Sequence, residues 1–230
     1  MHLNNEIIEL MRHDNCNIVS FADLRDISKE ARQNFKCGIL LGLSYSKEAM
    51  QENKNGLPKK YYDEFTHIQK KLPVIAEKTA KYLTDKGYKA LAKVPSMVIQ
   101  DEARRTILPH KTVATLSGIG WIGKCAALVT NEVGSALRII VVLTDAPLEC
   151  GEPITKSLCN PNCSVCADVC PGKAPSGQLW DIDVDRDEFF NAHACFSAAR
   201  SRAKELLNIN ETICALCISN CPFTRKGLGY

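Results

Sequence analysis

Apolar residues follow two rhythms through the first two-thirds of the chain, and the last third keeps neither. Between Pro58 and Lys86, the residues Tyr61, Phe65, Ile68, Leu72, Ile75, Ala76, Tyr82 and Leu83 recur at steps of three and four, the spacing of one helix face. Pro73 is expected to break or restart that helix, because it donates no N–H and its ring crowds the preceding turn. Gly87 should end it. Asn5–Arg12 predicts a short amphipathic helix, and Phe21–Leu24 begins a further apolar patch. Cys37–Tyr45 is a continuous apolar run and predicts a buried strand, whereas the polar stretch Lys47–Gly56 predicts a loop. Tyr88–Val94 reads as a strand of mixed polarity, and His110–Leu116 as a helical turn or two. Ala126–Thr130 and Ala136–Thr144 look like paired strands joined through Asn131–Gly134, and a helix is expected near Asp187–Leu207. Helices alternating with buried strands predict an α/β or α+β layered domain over residues 1–150. Residues 151–230 would form a separate cysteine-rich module.

Composition narrows this picture only slightly. Hydrophobic residues make up 45% and charged residues 24%, as in ordinary globular chains. The longest apolar runs, Cys37–Leu43 and Ile139–Leu143, are too short to cross a bilayer. No membrane partner is expected. The start, MHLNNEIIEL, carries acids within its apolar stretch and does not resemble a secretory signal. With 12 cysteines, the chain is expected to be soluble and cytoplasmic, in a reducing compartment. The net charge is +3, but ligation of two iron–sulfur clusters through eight thiolates would bring it close to zero. Its basicity is therefore no sign of a nucleic-acid partner.

The cysteines change the picture. One run reads Cys159-x3-Cys163-x2-Cys166-x3-Cys170-Pro171, and the other reads Cys195, then Cys214-x2-Cys217-x3-Cys221-Pro222. Two-cluster ferredoxins use C-x2-C-x2-C-x3-C-P, where the fourth cysteine of each run serves the other cluster. On that pattern Cys159, Cys163, Cys166 and Cys221 hold one [4Fe–4S] cluster, and Cys170, Cys195, Cys214 and Cys217 hold the second. The gap between Cys159 and Cys163 is one residue longer than usual, and Cys150 is a reserve for the first ligand. Zinc and disulfides are the competing readings. Zinc knuckles stand further apart along a chain than these runs do, and two runs each closed by Cys-Pro favour clusters.

Ser117-Gly-Ile-Gly-Trp-Ile-Gly-Lys124 invites two misreadings. It fits G-x-G-x-x-G, but the dinucleotide motif follows a strand and opens a helix, whereas this stretch follows a helix and enters a strand. It also fits most of a phosphate-binding loop, but Cys125 replaces the magnesium-binding hydroxyl. The glycines allow a bulky ligand close to the backbone, with Trp121 as a flat wall and Lys124 as a cation. A tight turn with Trp121 in the core is the alternative. Cys125 reads as a reactive thiol, an axial ligand or a small core residue.

Together, His110-Lys-Thr-Val-Ala, Ser117–Lys124, Gly134-Ser135, Leu143-Thr-Asp145 and the two runs bracketing Cys195 resemble the epoxyqueuosine reductase family, whose core is similar to that of reductive dehalogenases. The resemblance implies a nitroreductase-like, cobalamin-binding α/β domain followed by a ferredoxin-like module, with two [4Fe–4S] clusters feeding the cobalt. It implies an oxidoreductase, loaded by a ferredoxin- or flavodoxin-type donor, acting on a corrinoid or small-molecule acceptor. It also implies that Gly118, Gly120, Trp121, Gly123, Lys124, Phe196 and Ser197 line the corrinoid. His110 is a candidate proton donor. The family's catalytic aspartate falls at Arg104 here, with Asp101 nearby but out of register, and an asparagine common after Gly-Lys is Cys125. The chain ends at Tyr230, so a tRNA partner and epoxyqueuosine itself as substrate are not expected. An elaborated ferredoxin-type carrier and a non-catalytic corrinoid-binding protein are the rival functions.

Overall fold

The computed structural model describes residues 2–97 and 99–230. In chain order the elements are α1 (Leu3–His13), β1 (Ile18–Asp23), β2 (Cys37–Ser44), α2 (Lys47–Asn53), α3 (Lys59–Asp85) and β3 (Ala90–Ala92). There follow α4 (His110–Leu116), β4 (Gly120–Ile122), β5 (Leu128–Thr130) and β6 (Leu137–Thr144). The cysteine-rich part adds α5 (Val165–Asp168), α6 (Arg186–Phe189), α7 (Ala192–Leu207), α8 (Leu216–Asn220) and α9 (Pro222–Leu228). The fold is mixed α and β, as the sequence predicts.

Two compact units share the chain. The first contains residues 1–44, 67–119 and 138–154; the second contains 45–66, 120–137 and 155–230. In the first unit a four-stranded sheet runs in the order β1-β2-β6-β3, with β1 antiparallel to β2 and β3 antiparallel to β6. β2 is buried along its length up to Leu43, as its unbroken apolar run requires. Helix α1 buries Ile7 and Met11, and α4 packs on β1 and β2.

Four local expectations need correction. Lys47–Gly56 is not a loop, because α2 occupies most of it. Ser46 caps that helix by accepting a hydrogen bond from the Ala49 N–H, and Ala49, Met50 and Asn53 turn inward. Pro73 does not end α3, which continues for 27 residues. Proline removes one backbone hydrogen bond, but Ile68, Leu72, Ile75, Ala76 and Leu83 remain buried on either side of it. The strands predicted to pair through Asn131–Gly134 also part company. β5 pairs with β4 in a two-stranded sheet of the second unit, and β6 joins the larger sheet. The helix expected near Asp187–Leu207 is interrupted. Asp185 and Glu188 form a capping box for α6, Phe190 becomes extended, and Asn191 caps α7 anew.

Candidate metal centre

The two cysteine runs fold as short helical turns inside the second unit, and α5 of one packs against α8 of the other. Cys166 lies on α5, Cys217 on α8, and Cys221 precedes α9, whose first residue is Pro222. A cavity of about 190 Å³ is lined by Cys159, Cys163, Cys166 and Cys221, with Gly123, Lys124, Cys125, Val129 and Phe223 completing its wall. The last cysteine of the second run therefore joins three from the first. Burial pushes the Cys221 thiol up, while the backbone N–H groups of Thr224 and Phe223, aimed at its sulfur, pull it back. The Cys166 thiol is pushed well up, first by its hydrogen bond to Cys125 and then by burial.

The remaining four cysteines are linked less directly. Gly172, two residues after Cys170, packs so tightly on α7 that a side chain there would meet the Ala194 carbonyl at 2.6 Å. Ala194 immediately precedes Cys195. The Ala174 N–H points at the Cys170 sulfur at 3.4 Å. Burial is the main cause raising the Cys214 thiol, and Cys170 adds to it through their charges. Asn53 secures the loop by donating to the Cys214 carbonyl at 3.1 Å and to Ser219 Oγ at 2.8 Å.

Among the described residues, no three His, Cys, Asp or Glu side chains converge on a single-ion point. The thiols of the first set instead surround a volume. Four soft donors, a mostly apolar wall and backbone N–H groups aimed at sulfur fit a four-cysteine iron–sulfur cluster, whose thiolates attach to different irons.

The glycine stretch crosses the boundary between the units after Ile119. In the first unit Gly118 has φ +73°, and a Cβ there would meet the Glu152 carbonyl oxygen at 2.4 Å. In the second unit a Cβ on Gly120 would lie 2.2 Å from the Val129 carbonyl oxygen, and one on Gly123 would lie 2.8 Å from a Val129 methyl. Trp121 is 1% exposed, with its ring edge against Phe223 at a centroid distance of 4.9 Å. Lys124 is buried and donates to the carbonyls of Pro161 and Cys163 at 2.7 and 2.9 Å, holding the first cysteine loop. Phe196 is half-buried on α7 under the Arg200 guanidinium, and Ser197 is exposed. Within the second unit, the space beside these glycines is taken by the protein's own backbone and side chains.

His110 lies in the first unit, beside a cavity of about 310 Å³ lined also by Gln69, Pro73, Gln100 and Arg138. Its Nδ1 is 3.3 Å from the Ile139 carbonyl, and its buried Nε2 has no partner among the described residues. Burial lowers its pKa from the ordinary value. Asp101 accepts from the Arg105 N–H at 2.7 Å, and Arg104 follows it with φ +59°, so this carboxylate closes a local turn. Cys125 is the residue the spacing argument passed over. It belongs to neither run, yet it lines the cavity beside Cys159, Cys163, Cys166 and Cys221. Cys166 acts to lower its pKa, but Cys217 and burial prevail and hold the thiol well above its usual range.

No protein-family profile matches the chain. It is 27% identical over 206 residues to an epoxyqueuosine reductase of Prochlorococcus marinus, covering 84% of this chain and 59% of that protein. It is 36% identical over 153 residues to one from Atelocyanobacterium thalassa, covering 64% and 44%. The chain thus spans about half the length of these curated relatives. A solved epoxyqueuosine reductase superposes with a TM-score of 0.60 at 20% identity, over 97% of this chain and 66% of the other. A catabolic reductive dehalogenase gives 0.68 at 17% identity, over 97% and 32%. In sequence the chain is a relative of epoxyqueuosine reductases, and its fold is the one they share with reductive dehalogenases.

Proposed function

We propose that this chain is an iron–sulfur oxidoreductase that holds two [4Fe–4S] clusters and passes electrons one at a time to an acceptor. One observation carries the reading. The cavity gathers Cys159, Cys163 and Cys166 with Cys221, the crossed set that a two-cluster arrangement needs. Cys170, Cys195, Cys214 and Cys217 would hold the second cluster. Clusters supply one-electron chemistry when bound. The protein supplies the thiolates, the N–H groups of Phe223 and Thr224 that stabilise negative sulfur, and the Lys124 tether that fixes the first loop. A ferredoxin- or flavodoxin-type protein is the expected donor, in a reducing compartment.

The relatives point to a corrinoid as acceptor, since one solved neighbour is described as supporting B12-dependent dehalogenation. A second reading, an electron carrier serving a partner protein, gains from the filled space around Gly120 and Gly123. Protein purified without oxygen separates these. About eight iron and about eight acid-labile sulfide per chain are expected; about two zinc without sulfide would sink the cluster reading. Cobalamin is then added to reduced protein. Formation of a reduced corrinoid supports the reductase, a base-off spectrum alone supports a binder, and an unchanged spectrum supports the carrier.

A further inference from the structure

Two cysteines that belong to neither run meet inside the first unit. Cys37 opens β2 opposite Asp23 of β1 and is 9% exposed. Cys150 lies in the segment after β6 and is half-buried. Their sulfurs are 4.0 Å apart, and neither residue lines the four-cysteine cavity. The backbone is pinned on both sides of the pair. The Lys36 N–H donates to the Thr144 carbonyl at 3.2 Å, and the Leu24 N–H to the Lys36 carbonyl at 2.9 Å. Next to Cys150, the Gly151 N–H donates to the Phe21 carbonyl at 3.0 Å and the Glu149 N–H to Asn4 Oδ1 at 3.1 Å. A side chain on Gly151 would meet the Ser117 carbonyl oxygen at 2.2 Å, so this segment lies flush against the end of α4. Both thiols line a cavity of about 570 Å³. Asp23, Asp26, Asp145 and Glu152 share its wall with only two cations, Arg25 and Lys36, which leaves the wall negative.

We propose that Cys37 and Cys150 are a redox-active dithiol, closed to a disulfide by a small cationic disulfide that enters this cavity. Closure takes two exchanges. The Cys150 thiolate attacks one sulfur of the entering disulfide, breaks its S–S bond and expels one half as a thiolate. The Cys37 thiolate then attacks the Cys150 sulfur, forms the Cys37–Cys150 bond and expels the other half. The cysteines lose two electrons and two protons, and the small disulfide takes them up and leaves as two thiols. The order follows from exposure, since Cys150 is open to the cavity and Cys37 is covered. Bonded sulfurs stand about 2.05 Å apart, so side-chain rotation must close about 2 Å while the backbone anchors hold. Burial first, and the Cys37 sulfur next, push the Cys150 thiol up to about 12, with Arg25 acting against them. Thiolate is therefore scarce at neutral pH, and the first exchange is the slow one. The second is intramolecular and fast. The product staples the start of β2 to the segment after β6, across 113 positions of sequence, and constrains the unfolded chain. No part of this chemistry uses the clusters.

The test treats whole protein, purified without oxygen, with cystamine, a dicationic disulfide, and in parallel with anionic glutathione disulfide. Remaining thiols are alkylated in denaturant, linked peptides are mapped by mass spectrometry, and melting temperature is followed. Wild-type protein should yield a Cys37–Cys150 linked peptide, lighter by two hydrogen atoms than the reduced pair and reopened by dithiothreitol. It should form faster with cystamine, and the linked protein should melt higher. Cys37→Ser should stop at a cysteamine adduct on Cys150, and Cys150→Ser should leave Cys37 unmodified; neither should gain melting temperature. If serine at the covered Cys37 unfolds the sheet, Cys37→Ala carries the same reading. An adduct that persists on Cys150 in wild-type protein would show that the anchors hold the sulfurs apart, and would overturn the pair. Cys150 linked chiefly to a cysteine of the two runs would overturn it as well. Equal rates with the two disulfides would overturn entry of a cation through the negative cavity. Iron missing from the wild-type protein would sink the cluster reading and leave the linked peptide to decide this one.

Discussion

Ile39, Leu40 and Leu41 of β2 have no exposed surface, whereas none of the eight cysteines of the two runs is fully buried. The first unit closes its sheet over large aliphatic side chains and gains stability from apolar burial. The cysteine loops of the second unit rest on helices of only four and five residues, α5 and α8. Helices so short do not persist by themselves in water. Side-chain tethers hold them instead: Lys124 to two carbonyls, Asn53 to Cys214 and Ser219, and Tyr230 to the Ser219 carbonyl. The difference teaches that the first unit packs around an aliphatic core, while the short turns of the second hang on side-chain tethers, so that the clusters proposed above would add stability there.

Removing the metal should break the comparison most sharply. Iron stripped by a chelator should expose the segments 159–170 and 214–221 to hydrogen exchange and proteolysis, with β2 and β6 still protected. Equal loss of protection in both units would show that the second does not depend on its metal. Leu40→Ala should act the other way round. It should cost about 2–5 kcal/mol by chemical denaturation, through lost burial and a residual cavity, without lowering iron content per folded chain. Lys124→Met comes next. Loss of its bonds to Pro161 and Cys163 should cost about 1–3 kcal/mol and raise exchange at the first cysteine loop, measured by mass spectrometry.

The expectations that held rest on features whose cause is local or periodic. The β2 run, the face of α3 and the α4-to-β4 passage all follow from side-chain order. What escaped was decided by distant residues. Pro73 is tolerated because buried neighbours hold the helix around it. Val129 stands where a side chain on Gly120 or Gly123 would point, and that contact is set by the pairing of β4 with β5. Lys124 looked like a free cation, yet its partners lie 37 and 39 residues away. Cys125 offered one legible signal, a cysteine outside the runs, but nothing local shows that it lines the same cavity as Cys159, Cys163, Cys166 and Cys221.

His110 sharpens the comparison from the side of the first unit, and its effect should be the smallest. Its pKa is lowered chiefly by burial; the Ile139 carbonyl works against this, and Lys93 adds to it. The folded chain thus binds a proton at this site less readily than the unfolded chain, whose histidine titrates near 6.5. The site favours the unfolded state as pH falls below about 6.5, and the loss is complete once pH passes below the folded value. His110→Gln removes the titration and leaves a polar side chain at the cavity. Melting temperature followed from pH 7 to pH 5 should therefore drop less steeply in the variant, and the difference in slope, not the absolute stability, is the quantity to read. The lowering also leaves few protons on His110 at neutral pH, so any turnover that needs it as an acid should rise towards acid pH. Parallel melting curves for the two proteins would mean that the ring finds water when it charges and that burial does not govern it.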